Sequence, residues 1–89
     1  MVEEKIGIVE HFFTHISVVA IKITDGELKV GDTIHIVGAN TDLTHHVDHM
    51  EIDRAPVQIA KAGEAIGIKI NGKARDHDIV YKIPKGETA

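Results

Sequence analysis

Apolar positions recur at a spacing of two along most of this chain. In Thr24 to Gly38, reading TDGELKVGDTIHIVG, Leu28 and Val30 lie two apart, and Ile34 and Ile36 repeat the step after a break. That spacing places side chains on one side of an extended backbone. The breaks are Asp25-Gly26 and Gly31-Asp32. Glycine takes positive φ without a Cβ clash, and Asp hydrogen-bonds its own backbone in turns. The stretch therefore predicts strand, tight turn, short extended piece, tight turn, strand.

The same pattern predicts the remaining elements. Lys5 to Phe13 is a first strand, in which Ile6, Ile8, Glu10 and Phe12 alternate with Gly7, Val9, His11 and Phe13. Both faces are fairly apolar, as for a strand buried in a barrel or sandwich. Thr14 to Ser17 is a polar break. Val18 to Ile23 is a second strand, with Val19, Ile21 and Ile23 inward, and Thr33 to Val37 is a third. The turn formers of 38–42 precede a fourth strand, Leu43 to Asp53. The three-residue step from Val47 to Met50 predicts a bulge that puts Val47, Met50 and Ile52 on one face. Arg54 to Gly63 is a connection, because Pro56 cannot donate to a central ladder. Ala65 to Ile70 is a fifth strand, with Ile66, Ile68 and Ile70 inward. Asn71-Gly72 is a turn, Lys73 to Asp78 an irregular crossing, and Ile79 to Ile83 the last strand.

Composition sharpens the fold class. The 89 residues include 14 Ile and 9 Val against two Leu, two Phe and one Tyr. β-Branched residues suit a pleated, half-buried surface and lose rotamer freedom in helices. Strands at this spacing with glycine turns predict an all-β domain, a closed six-stranded Greek-key barrel over residues 1–83, with a fraying tail at 84–89. Closure would remove edges that so many Ile and Val would make adhesive.

Charge and reactive side chains exclude more than they suggest. With no cysteine, thiolate metal sites and cysteine nucleophiles are ruled out. The first residues lack the pattern of a signal peptide, and no apolar run approaches the ~20 residues that span a membrane, so a cytoplasmic protein is expected. The net charge of −4 argues against strong non-specific binding to nucleic acid. It is unevenly spread: residues 1–60 carry 4 Lys and Arg against 10 Asp and Glu, a net of −6, and residues 61–89 carry 6 against 4, a net of +2. Lys69, Asn71, Lys73 and Arg75 share a face if the chain stays extended. That makes Lys69, Lys73 and Arg75 the candidate contacts to RNA phosphates or to a partner. Phe12, Phe13 and Tyr81 are assigned to the core, leaving no stacking platform for single-stranded bases.

Seven histidines invite a metal reading. His45 and His49 would sit about 13 Å apart on a strand, too far for one zinc ion. If Val47 lies beside Ile34 or Ile36, then His35, His46 and Asp48 share the outer face, as a weak metal site or a proton-sensitive patch. Ordinary solvated histidines are the alternative. Ser17 is the one serine, without an assignable histidine and carboxylate, so no catalytic residues and no enzymatic activity are expected. No cofactor is expected either: no G-x-x-x-x-G-K-[ST] occurs, and so no phosphate cradle for a nucleotide.

The segment LKVGDTIHIVG, taken with Val47 to Ile52, with Ala62-Gly63-Glu64-Ala65-Ile66-Gly67-Ile68 and with Asp78-Ile79-Val80-Tyr81-Lys82, resembles the second, β-barrel domain of translational GTPases such as elongation factor Tu. The likeness covers residues 6–83 and is nearest to small stand-alone elongation factor-like proteins. Collagenase-like peptidases that act on tRNA or rRNA modification carry a related barrel at their C-terminal end. The resemblance implies a translation module that contacts ribosomal or transfer RNA or a translation-related protein. The alternative it implies is a barrel subunit, acting in trans, of a larger RNA-modifying or peptidase-like complex. Departures from the pattern are local. Thr14-His15-Ile16-Ser17 replaces a glycine-containing turn, Asp76-His77 replaces Arg-Gly, and the acidic pair that elongation factor Tu uses near the aminoacyl end of tRNA falls at Gly7 and Ile8.

Overall fold

Ten strands and no helix make up residues 3–83, the part described by the computed structural model. They are β1 (Glu4–Phe13), β2 (Val18–Ile23), β3 (Glu27–Lys29), β4 (Thr33–Gly38), β5 (Thr41–His46), β6 (Met50–Ile52), β7 (Ala55–Val57), β8 (Ile59–Lys61), β9 (Ala65–Lys69) and β10 (Ile79–Ile83). Eight form one sheet in the order β5-β4-β10-β1-β2-β9-β6-β7, and β3 and β8 form a separate ribbon. Backbone bonds outside the ladders tie the two together: Gly31 N–H donates to Val47 O at 2.8 Å, and Val47 N–H to Asp32 O at 2.8 Å. The sheet wraps one core and is barrel-like, in agreement with the all-β expectation. Among the described residues no ladder joins β5 to β7. The tail expected at 84–89 lies outside the described residues.

The core is mostly isoleucine and valine. Val19, Ile21 and Ile23 of β2, Ile34 and Ile36 of β4, and Ile66 and Ile68 of β9 are buried, as the spacing of two requires. Burying such side chains contributes roughly 1.5–3 kcal/mol each relative to exposure. Strand β1 departs from the simple alternation. Its buried apolar side chains are Ile6, Val9 and Phe12, three apart. Register shifts between Lys5 and Gly7, and between Val9 and His11, turn the strand twice. At the second shift Val9 pairs with the chain before β10: its N–H donates to Asp78 O and its carbonyl accepts from His77 N–H, both at 2.8 Å. This double shift explains why both faces of β1 read as apolar.

The strand expected from Leu43 to Asp53 is two strands. At Val47 the chain leaves its partner β4 and bonds to Gly31 and Asp32, then resumes as β6 beside β9 and β7. The predicted connection from Arg54 holds β7 and β8. Pro56 sits in β7, the last strand in the sheet order, opposite Glu51, so its missing N–H breaks no central ladder.

Three turns share one construction. In Lys29–Asp32, Lys61–Glu64 and Arg75–Asp78, the fourth residue donates its N–H to the carbonyl of the first, at 3.0, 3.0 and 3.2 Å. Its carboxylate also accepts the N–H of the first, at 2.9, 2.7 and 2.9 Å. The third position takes positive φ in each: Gly31 at 102°, Gly63 at 96° and His77 at 73°. That is the requirement of a type II turn, which His77 meets without glycine's freedom.

Candidate functional site

The three cations expected to form one row do not. The chain bends at Asn71-Gly72, where Gly72 has φ of 155°. Lys69 lines a hollow of about 480 Å³ with Ser17, His45, Asp48, His49, Ile70 and Asn71. Lys73 and Arg75 line another, of about 290 Å³, with Phe12, Thr14, Asn40, Thr41 and Ala74. Extension was the premise of the row, and the bend removes it.

The histidines are dispersed in the same way. His35, on β4, faces Thr44, and its ring lies between two carboxylates: Nδ1 is 2.9 Å from Glu3 Oε1 and Nε2 is 2.5 Å from Asp42 Oδ1. The hydrogen bond to Asp42, then that to Glu3, raises its pKa above the ordinary value, against a smaller opposing effect of burial. His45 shifts the other way, lowered chiefly by burial. His46 contacts Thr33 Oγ1 at 3.4 Å and Asp48 at 3.5 Å, and His49 contacts Glu51 at 2.8 Å. Among the described residues no three His, Asp or Glu side chains come together as metal ligands would.

The largest of these concavities, about 810 Å³, was not among the sequence candidates. It lies on the outer faces of β2 and β9, between the tip of the β1–β2 hairpin and the β6–β7 hairpin. Phe13, Ile16, Val18, Ala20 and Gly67 give it an apolar surface, and Glu51, Asp53 and Arg54 provide charge. Phe13, expected in the core, is instead 46% exposed, and Ile16 is 58% exposed. The second register shift of β1 turns Phe12 inward and leaves Phe13 outside, against the edge of His11 at a centroid distance of 4.5 Å.

Both hairpins at this hollow use positive φ without glycine. Ile52 pairs with Ala55, so Asp53 and Arg54 form a two-residue loop, with φ of 51° and 68°. Such loops prefer Asn-Gly or Asp-Gly. Ser17, at φ 56°, ends the turn after β1. Left-handed backbone in a residue with a Cβ costs roughly 1–2 kcal/mol. Glycine would relieve it but would remove the Arg54 side chain from the hollow. The legible signal was the absence of glycine from Thr14-His15-Ile16-Ser17, together with an isoleucine placed in a turn.

Gly7 marks the other departure from the elongation factor pattern. A Cβ there would strike the backbone carbonyl oxygen of Lys22 on β2. The close approach of the two strands excludes an acidic side chain at that position.

Comparison with known proteins agrees with this geometry. Residues 17–89 match the family described as elongation factor Tu domain 2, and the chain belongs to that barrel family. An uncharacterized protease of Methanocaldococcus jannaschii is 41% identical over 78 residues, which covers 86% of this chain and 19% of the relative. A collagenase of Porphyromonas gingivalis is 31% identical over 77 residues, covering 85% of this chain and 21% of the relative. The chain thus spans about a fifth of the length of these curated relatives. Among solved structures, the C-terminal domain of a Geobacillus thermoleovorans protein named as a U32 peptidase superposes with a TM-score of 0.83 at 13% identity. The match covers 91% of this chain and 93% of that domain, a likeness of fold.

These findings correct the translation reading. The relatives are named as a protease and a collagenase, not as translation factors, so the expected roles in protein biosynthesis and RNA binding are withdrawn. What the resemblance to elongation factor Tu carries is the barrel.

Proposed function

We propose that this barrel is a non-catalytic docking module of a peptidase-like protein, seating a catalytic partner on the hollow between its two hairpin tips. One observation carries the reading: at 41% identity the barrel accounts for only 19% of a protein named as a protease. The barrel therefore corresponds to an accessory part of such proteins, with most of their length elsewhere. The surface chemistry supports the reading. Exposed Phe13 and Ile16 supply apolar area, and Arg54 supplies a planar donor; phenylalanine and arginine are among the types enriched at protein interfaces.

The test is direct titration. The Methanocaldococcus jannaschii relative, shortened to remove its own barrel region, is titrated with this protein by calorimetry. Saturable binding is expected, and the double variant Ile16→Glu with Arg54→Glu should weaken it at least ten-fold while its amide spectrum stays that of a folded barrel. Absence of binding, or equal binding by the variant, overturns the reading. Burial of apolar surface should also give a negative heat-capacity change and little dependence on salt.

A further inference from the structure

We infer that the hollow between the end of β1 and the crossing before β10 is a binding seat for a single small oxyanion, a carboxylate or a phosphate group. Lys73 and Arg75 line it from the crossing, two residues apart, with Ala74 between them turned into the core. Neither cation pairs with a carboxylate among the described residues. Nor is there an acidic side chain among those lining the hollow.

The opposite side supplies neutral donors. Asn40 comes from the β4–β5 turn, Thr41 from the start of β5, and Thr14 from the β1–β2 turn. Thr41 is the informative residue. It is only 6% exposed, yet its side chain makes no hydrogen bond to another described residue. No fully buried side-chain polar atom is left unsatisfied in the described residues, so the Thr41 hydroxyl retains an opening, and the hollow that it lines is where that opening leads. Buried hydroxyls are normally partnered, and one open to the hollow beside two cations can donate to an anion seated there.

The nearby acids are engaged elsewhere. Asp78 accepts the backbone N–H of Arg75 at 2.9 Å, which fixes the turn that presents the Arg75 side chain. Asp76 lies 3.5 Å from His11 Nδ1. Gly38 is part of the same support. A Cβ there would collide with the Asp78 carboxylate, so the strand end beside the hollow has no room for a side chain.

The ligand is one group rather than a chain of them. Phosphate backbones are bound by neutralising many charges, and two cations on a protein of net charge −4 are too few. An arginine fork with a lysine point charge instead matches one carboxylate or one phosphate. A hollow of about 290 Å³ has room for that group together with part of the molecule that carries it.

The test is an amide chemical-shift titration of the whole chain with sodium phosphate, with sodium acetate, and with sodium chloride at matched ionic strength. Saturable shifts at Asn40, Thr41, Lys73 and Arg75 are expected with phosphate or acetate and not with chloride. Saturation by acetate alone assigns the seat to carboxylates, and by phosphate alone to phosphates. Lys73→Ala with Arg75→Ala should weaken the response at least ten-fold, and Thr41→Val several-fold, with the remaining spectrum unchanged. No saturable shift with either anion, an equal response to chloride, or a response that survives in the double alanine variant overturns the proposal. RNA that competes the anion away only at low salt would likewise speak against a single-group seat.

Discussion

Among the described residues, four other than glycine take positive φ: Ser17, Asp53, Arg54 and His77. Glycine at such positions relieves Cβ strain but increases the freedom of the unfolded chain, a partial offset. Arg54→Gly and His77→Gly are each expected to raise stability by roughly 0.5–1 kcal/mol, measured as the shift in urea midpoint at unchanged slope. Arg54→Gly should at the same time weaken partner binding, the trade expected of strain kept at a working surface.

His35 gives a second expectation at this scale. Its pKa is raised in the folded state, so folding binds the proton more tightly than the unfolded chain does. The stabilisation is complete below the unfolded value of about 6.5 and is lost as pH rises through the raised folded value. Between pH 5.5 and 8.5 the wild-type barrel should lose on the order of 1 kcal/mol more than His35→Gln, a modest figure because Asp42 is exposed. Equal loss by both would separate the Glu3–His35–Asp42 clasp from stability. The turns at Gly26 and Gly31 were legible because glycine announces positive φ. Those at 53–54 and 77 were not, because the residues there carry no such signal.

Among the elements, regular strands were read correctly and irregular ones were not. Strands β2, β4 and β9 follow period two without interruption, so their inward residues are the ones found in the core. Strand β1 defeats the same reasoning, because two register shifts preserve its apolar character while changing which residues face in. The break at Val47 was visible as a three-residue step but not its extent, since the bonds to Gly31 and Asp32 are made across the fold. The shared turn construction yields a prediction at this scale. Asp32→Ala removes the acceptor for Lys29 N–H and should cost about 1–2 kcal/mol in chemical denaturation, whereas Asp32→Asn keeps an acceptor oxygen and should cost less than half of that. Equal losses would attribute the effect to charge rather than to the backbone bond. Lys73 and Arg75 were legible as candidates, but their separation from Lys69 depends on the bend at Gly72.

At the scale of the molecule, sequence pattern and family likeness established a barrel, and the relatives it resembles over its length are named as a protease and a collagenase rather than as translation factors. The hollow proposed for docking was illegible because it is assembled from β1, β2, β6, β7 and β9, which no local pattern brings together.

The pairing of the first strand with the last has a mechanical consequence. Glu4 lies opposite Lys82 and Ile8 opposite Ile79, so the beginning of β1 and the end of β10 emerge side by side. Tension applied through those two points meets the ladder one residue pair at a time, as in opening a zipper, instead of loading all its bonds at once. Stretched between attachments at residues 4 and 83, the barrel should open at low force. Stretched between residues 13 and 83, which loads the same ladder in shear, it should resist more strongly. A barrel held at both of these points would yield before a barrel held at points that load the ladder in shear.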